Sequence, residues 1–456
     1  MSFLALLHDV LTVGDIAGAE AMVAGQPDPF EAELGRAAVL MRQRRFPEAL
    51  AALDVAETIR RCHPATAFQR GVCLFEVGRF EDAIAAQRRC VTLAPSFAQG
   101  WMKLGANLLA THRWAEALAC QERAHACDPK DPEVMVAYGT ALYVLGDDAA
   151  AEAQYRAAWQ ARPDDTRAEI ALSMALLRAG KWREGFERFE GRWRLHPFGA
   201  PWDFRPQPFW SGKPEDLRGK RVTLVAEQGF GDTIHFCRYV PLVVSLAADV
   251  TFAVQPTLER LMGHLGARVV RFDGPLPDAD VTVPLMSLPH VFGTTVETAP
   301  PPCLPALVPQ TVGARVGVCW HGGARPHDPS AFPDDQRRSI PLPMFQPIID
   351  AAGGKAISLQ QEDLAGWGVH DWMGTAAMIA GLDLVVTVDT AVAHLAASLG
   401  VETWMLARAG GCWRWLSSGD RTVWYPAMRI FRQPVLGAWE PVITDVARRL
   451  AERMKD

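Results

Sequence analysis

Apolar and small residues recur along the first two-fifths of the chain with a period of 34 residues. Leu40, Leu74, Leu108, Leu142 and Leu176 form one column, and Phe46, Phe80, Trp114, Asp148 and Trp182 form a second. Ala49, Ala83, Ala117, Ala151 and Gly185 form a third, Gly71, Gly105 and Gly139 a fourth, and Pro95, Pro129 and Pro163 close successive units. Small residues where helices cross, with a proline at the end of each unit, predict stacked helix–turn–helix pairs. The spacing gives about five regular pairs. The segment Gly14–Glu20 echoes Gly146–Glu152 but is four residues out of phase, so an irregular hairpin is expected ahead of them.

The pattern changes after Arg192. Residues 193–220 are dense in Pro, Trp, Phe and Gly and lack a helical or strand period, which predicts a stiff linker packed along a junction. From Arg221 strands and helices alternate. RVTLVAE, DVTFAV, RVVRF and VTVPL read as strands, and TIHFCRYVPLVVSL reads as a helix after a glycine turn. The proline-rich run TAPPPCLPALVPQ interrupts the alternation, which resumes with RVGVCW, KAISLQ, LVVTVD and ETWMLA and closes on a helix near Pro441 to Met454. The run LVVTV is too continuous for a half-exposed strand and predicts burial on both faces of a parallel sheet. The expected fold class is α + α/β. A helical solenoid over 1–192 and a linker over 193–220 precede two Rossmann-like halves, 221–310 and 311–456.

The 34-residue unit resembles the tetratricopeptide repeat (TPR), whose solenoids bind extended peptide on a concave face built from the first helix of each pair. Gln69, Lys103 and Asn107 are the candidate acceptor-binding residues there, each standing beside the alternative of an ordinary solvated helix position.

A formal charge of −6 and a pI near 6.1 argue against a nucleic-acid or anionic-membrane partner. No apolar run approaches the ~18–20 residues of a membrane span, so membrane insertion is not expected. Nine cysteines without a CxxC pair suit a reducing compartment, and a cytoplasmic setting is the expectation. No metal is expected: the sole D-x-D, Asp278-Ala279-Asp280, precedes its strand instead of following it.

Candidate chemistry gathers at the carboxyl ends of the expected strands, where open α/β sheets bind ligands. Asp389 and Thr390 end LVVTV and start a helix whose N–H groups and dipole favour an anion. His394, four residues after Thr390, shares its helix face. Without further context Asp389 and Thr390 are equally good helix caps, and His394 an ordinary core histidine. Gly229, Gly231 and Asp232 form a glycine turn after the first strand, with Asp232 either a cap or a general base and His235 one turn further on. Trp320 and the glycines after it open the second half, Arg338 and Ser339 end its long polar loop, and Gln360 ends KAISLQ. Trp413, Arg414 and Trp415, with Tyr425 nearby, follow the last expected strand as pocket wall or core.

The segment VDTAVAHLA resembles the D-T-G-P-x-H-L-A signature of the heptosyltransferase-like (family 9) glycosyltransferases, and QGFGDTIHF is similar to their G-D loop. Ala391-Val392 stand where Gly-Pro is usual, so donor identity does not carry over. The resemblance implies GT-B architecture and inverting transfer from a nucleotide sugar without a metal or other cofactor. Asp232 would deprotonate the acceptor with His235 in reserve, and Gly229, Gly231, Trp320, Arg338, Ser339, Gln360, Asp389, Thr390 and His394 would bind the donor. Repeats joined to such a domain are also similar in architecture to protein O-GlcNAc transferases. Bacterial members with this layout include flagellin glycosyltransferases, so flagellin is the expected acceptor. A CMP-activated nonulosonic acid or a UDP-hexosamine is the expected donor. The rival readings are an inactive TPR adaptor and a nucleotide-sugar epimerase.

Overall fold

The computed structural model describes residues 2–194, 213–309, 315–323 and 332–455. Most of the expected linker, the start of the second half and part of the polar loop before Asp335 lie outside the described residues. Two compact units emerge, Met1–Leu142 with Ala153–Arg162, and Tyr143–Glu152 with Pro163–Asp456.

The first unit is a helical array. An N-terminal pair, Phe3–Thr12 and Ile16–Ala24, precedes pairs that begin Pro29–Arg42 with Phe46–Ile59 and recur at the expected spacing. The second column supplies the first residue of each second helix, aromatic at Phe46, Phe80 and Trp114, and Ala49, Ala83 and Ala117 are fully buried at the crossings. The repeating glycine has a specific neighbour 16 residues on. A Cβ at Gly71 or Gly105 would lie 2.5 Å from the amide nitrogen of Gln87 or Gln121, and one at Gly139 would lie 2.8 Å from the Tyr155 ring. Gln87 and Gln121 donate from that nitrogen to the carbonyls of Phe68 and Met102, both at 3.0 Å, tying each second helix to its first. Glycine is required because the glutamine occupies the space of its side chain.

The second unit contains two parallel sheets. The first has β1 (Arg221–Val225), β2 (Asp249–Val254), β3 (Arg268–Arg271) and β4 (Val281–Pro284) in the order β3-β2-β1-β4. The second has β5 (Val316–Cys319), β6 (Ala356–Ser358), β7 (Leu384–Val388), β8 (Thr403–Ala407) and β9 (Met428–Arg432) in the order β6-β5-β7-β8-β9. Strand β7 is buried throughout, pairing with β5 and β8. Leu384, Val386 and Val388 pack toward the helices Leu342–Ala351 and Glu440–Arg453, and Val385 packs toward the opposite core. Edge strand β9, with its charged Arg429 and Arg432, was not among the expected strands. The expected long helix after β1 is instead Phe230–Phe236, a 3-10 turn Cys237–Tyr239 and a short helix Val240–Val244 with Pro241 in its first turn.

The last repeat pair, Thr166–Arg178 and Trp182–Phe189, belongs to this second unit and shares its core. Trp182 stacks on Trp424 with centroids 4.5 Å apart. Arg192, fully buried, donates to both carboxylate oxygens of Glu227 at 2.9 and 3.0 Å, and Glu227 also accepts from the Met286 amide at 2.9 Å. Glu227 directly follows the β1 region, so this pair anchors the chain as it enters the glycine turn.

Candidate functional site

In each sheet the chain reverses direction of winding at one point, between β1 and β4 in the first and between β5 and β7 in the second. Such switch points open a crevice at the carboxyl edge, because the helices on either side depart to opposite faces. The candidate residues lie at these two edges.

At the β5/β7 edge three strand ends converge. The Thr390 hydroxyl does not cap its helix; it lies 3.3 Å from the Thr387 hydroxyl and 3.8 Å from Cys319 Sγ. The first amides of the Ala391–Ser398 helix are thus left without a side-chain cap from Thr390. Arg338 bridges the edge. Its Nη2 donates to the Asp335 carboxylate at 2.7 Å and its Nη1 to the carbonyl of Asp389 at 3.1 Å, and 27% of its side chain stays exposed. Asp335 is buried and was not singled out from the sequence; its three-residue spacing from Arg338 was the available signal. The Ser339 hydroxyl donates to the Asp335 carbonyl at 2.7 Å and accepts from the Gly322 amide at 3.4 Å.

Gln360 has a different part from the one expected. Its Oε1 accepts from the Trp320 and His321 amides at 3.0 and 3.4 Å, and its Nε2 donates to the His321 carbonyl at 3.3 Å. A buried amide engaged at both ends shapes the loop after β5. Trp320 is half-buried against the core formed with Phe345.

At the β1 edge the backbone enters the turn through Gln228, whose φ of 61° is left-handed, a conformation that a non-glycine residue adopts under constraint. Asp232 Oδ2 accepts from the Gly229 amide at 3.0 Å and its Oδ1 from Arg414 Nη2 at 2.5 Å. Its side chain remains 21% exposed, against 8% for Arg414. Gly231 brings the two edges together. A Cβ there would lie 3.0 Å from Cδ2 of His394 and 3.4 Å from Cα of Ala391, so any larger residue would press on the His394 ring where the Phe230–Phe236 helix approaches the Ala391–Ser398 helix.

Behind that approach sits Tyr425. Its hydroxyl is 2.8 Å from His235 Nδ1 and 2.9 Å from His394 Nδ1. His235 is completely enclosed, which removes the expected reserve base from reach of an acceptor. Both imidazoles are held neutral well below the usual histidine range. Burial is the main cause for each, followed by the positive charge of Arg238 and Arg414. Burial pushes the Tyr425 hydroxyl up to about 12. Trp415 stacks on His394 at 5.1 Å and 25°, and Trp413 and Trp415 are both core. Arg414 and Tyr425 become central only through contacts with residues about 30 to 190 positions away.

In the array, Asn107 is buried with its amide nitrogen enclosed, which takes it out of an open groove; Gln69 and Lys103 are half-buried. Among the described residues no group of three or more His, Cys, Asp or Glu side chains is placed to hold a metal, and no helix is long and apolar enough to cross a membrane.

Comparison with known proteins places the repeats. Residues 102–166 match the tetratricopeptide repeat family. The chain is 27% identical over 327 residues to Protein FlbA of Caulobacter vibrioides (strain ATCC 19089 / CIP 103742 / CB 15), a match covering 60% of this chain. It spans about half, 53%, of that relative's length. Among solved structures, MamA 41-end from Desulfovibrio magneticus RS-1 is 20% identical, covers 37% of this chain and 95% of its own, and has a TM-score of 0.32. A thermophilic TPR protein from Thermus thermophilus is 19% identical, with 37% and 92% covered and a TM-score of 0.34. The chain is thus a TPR-containing protein, a class that generally mediates protein–protein interaction, with a region of parallel sheets after the repeats.

Proposed function

We propose that this protein is an inverting, metal-independent glycosyltransferase of GT-B architecture. Its two parallel sheets are the Rossmann-like halves, and it O-glycosylates Ser or Thr of a protein acceptor recruited by the repeats. The observation that carries this reading is the meeting of two switch points. Asp232 stands on one edge, and Arg338, Thr390, His394 and a helix N-terminus stand on the other.

In the proposed reaction Asp232 accepts the proton of the acceptor hydroxyl as its oxygen bonds to the anomeric carbon, and the bond to the nucleotide phosphate breaks with its electron pair on the phosphate. Each Asp232 oxygen has a lone pair beyond its present partner, so Arg414 and the Gly229 amide orient the carboxylate without blocking it. Arg338 and the helix amides offset the charge developing on the leaving phosphate. Flagellin is the proposed acceptor, in a cytoplasmic setting, and the donor is a CMP-activated nonulosonic acid or a UDP-hexosamine.

The test is intact-mass spectrometry of flagellin co-expressed with this protein in a host that makes the candidate donors, with Asp232→Ala alongside. A mass step equal to a sugar residue that vanishes in the variant supports the reading. Stable co-purification with no mass step in any donor background overturns it in favour of an adaptor. Conversion of free nucleotide sugar without acceptor would point to an epimerase.

A further inference from the structure

We propose that Tyr425 is a positioning residue that sets the tautomer of His394, so that this histidine presents an Nε2–H donor at the edge where the Ala391–Ser398 helix begins. The inference rests on the glycosyltransferase reading only for what that donor meets, namely the phosphate of a nucleotide.

One hydroxyl lies between two ring nitrogens, His235 Nδ1 at 2.8 Å and His394 Nδ1 at 2.9 Å. A phenol carries one proton and two acceptor lone pairs, and the hydrogen bonds of this hydroxyl among the described residues are to these two ring nitrogens, so its buried proton goes to one ring and it accepts from the other. Two arrangements satisfy this. In the first, His235 donates Nδ1–H to Tyr425, and Tyr425 donates to Nδ1 of His394. His394 then carries its proton on Nε2, and His235 leaves a bare Nε2. In the second, every bond is reversed, and His235 carries Nε2–H while His394 Nε2 is bare.

The surroundings of His235 decide between them. Its Nε2 is enclosed and has no hydrogen-bond partner among the described residues. The ring has no exposed surface and is packed against Phe236 and Trp424, with centroids 4.6 Å away in each case. Orphaned buried N–H groups are rarer in folded proteins than under-satisfied acceptors. The first arrangement avoids the orphaned N–H.

His394 differs from His235 in the respect that matters. It retains 6% of its surface, and its Nε2 has no hydrogen-bond partner among the described residues. The adjacent Cδ2 faces Gly231, so this ring edge lies where the two sheet edges approach. Stacking on Trp415 holds the ring plane. The chain of bonds therefore carries a preference set in the enclosed first-sheet helix to the accessible atom of the second-sheet helix.

The experiment uses the full chain labelled with 15N-histidine. Two-bond proton–nitrogen spectra report which nitrogen of each ring is protonated, with His394→Gln and His235→Gln assigning the signals. The wild type is expected to show His394 with its proton on Nε2 and His235 with its proton on Nδ1. Tyr425→Phe is expected to leave His394 averaging between tautomers and to weaken UDP or CMP binding about tenfold, the loss of roughly one hydrogen bond. The opposite tautomers in the wild type would overturn the proposal even if the variant fails to fold, as would an unchanged His394 in a folded Tyr425→Phe. Expected tautomers in a protein that binds neither nucleotide would instead refute the glycosyltransferase reading, since the spectra need no donor.

Discussion

Arg414 of the second sheet region holds Oδ1 of Asp232 at 2.5 Å, joining residues 182 positions apart at the point where the two sheet edges meet. Arg414 is almost fully buried, and it also lies 4.6 Å from the face of the Trp413 ring and 3.1 Å from Cys412 Sγ. The carboxylate is thus aimed by a partner that is itself fixed. Removing one member leaves a charge without its counter-ion in a poorly hydrated place. Arg414→Met is expected to destabilise the sheet region by about 2 kcal/mol, less than for a fully enclosed pair because Asp232 is partly exposed. Adding Asp232→Asn should restore part of the loss. Urea titrations of the four forms measure the coupling, and additive effects would show that the pair does not act as one.

The buried histidines make stability depend on pH. Both His235 and His394 bind a proton less readily folded than unfolded, mainly because burial disfavours the cation. Above the unfolded imidazole value of about 6.5 the two states hold equal numbers of protons at these sites. Below it the unfolded chain takes up protons that the folded chain does not, so stability falls as pH falls, by up to about 1.4 kcal/mol per pH unit for each histidine. Thermal midpoints between pH 7.5 and 5.5 should drop steeply in the wild type and less steeply in His235→Gln. Equal slopes would assign the acid sensitivity to other groups.

Arg338 is positioned by Asp335 and by the carbonyl of Asp389. Arg338→Ala is expected to weaken UDP or CMP binding about tenfold or more, as the loss of a charge-assisted contact requires. Arg338→Lys should recover little, because an ammonium cannot serve two fixed partners and the ligand with the geometry of a guanidinium. Asp335→Ala should also weaken binding, although Asp335 is buried, because it holds the Arg338 guanidinium in place. Calorimetric titration checks all three, and wild-type affinity in Arg338→Ala would remove this residue from the site.

In the repeats, Gly105→Ala would place a methyl group 2.5 Å from the Gln121 amide and displace its bond to the Met102 carbonyl. A loss of about 1–3 kcal/mol is expected from the overpacking and the lost bond. Gln121→Ala in the same chain should relieve the clash, so the double variant should melt above Gly105→Ala in circular dichroism. A double variant melting with or below the single one would show that the clash is not the cause.

The elements that local chemistry specifies were legible along the chain. A 34-residue period and the apolar run of β7 are read from the sequence pattern, because helices and strands bury faces with fixed periods. Strand β9 escaped because the segment Met428–Arg432 mixes arginines with apolar residues, as an edge strand tolerates. The boundary between compact units was also hidden: the last repeat keeps the period, yet Trp182 packs in the core of the sheets. Tertiary structure alone decided that Gln360 turns inward to the β5 loop, that Arg414 pairs with Asp232, and that Tyr425 joins His235 to His394. These contacts follow from the order β6-β5-β7-β8-β9 and from the close approach at Gly231. Strand order is a choice among non-local pairings whose energies depend on the whole packed sheet, and no short stretch of sequence carries that information.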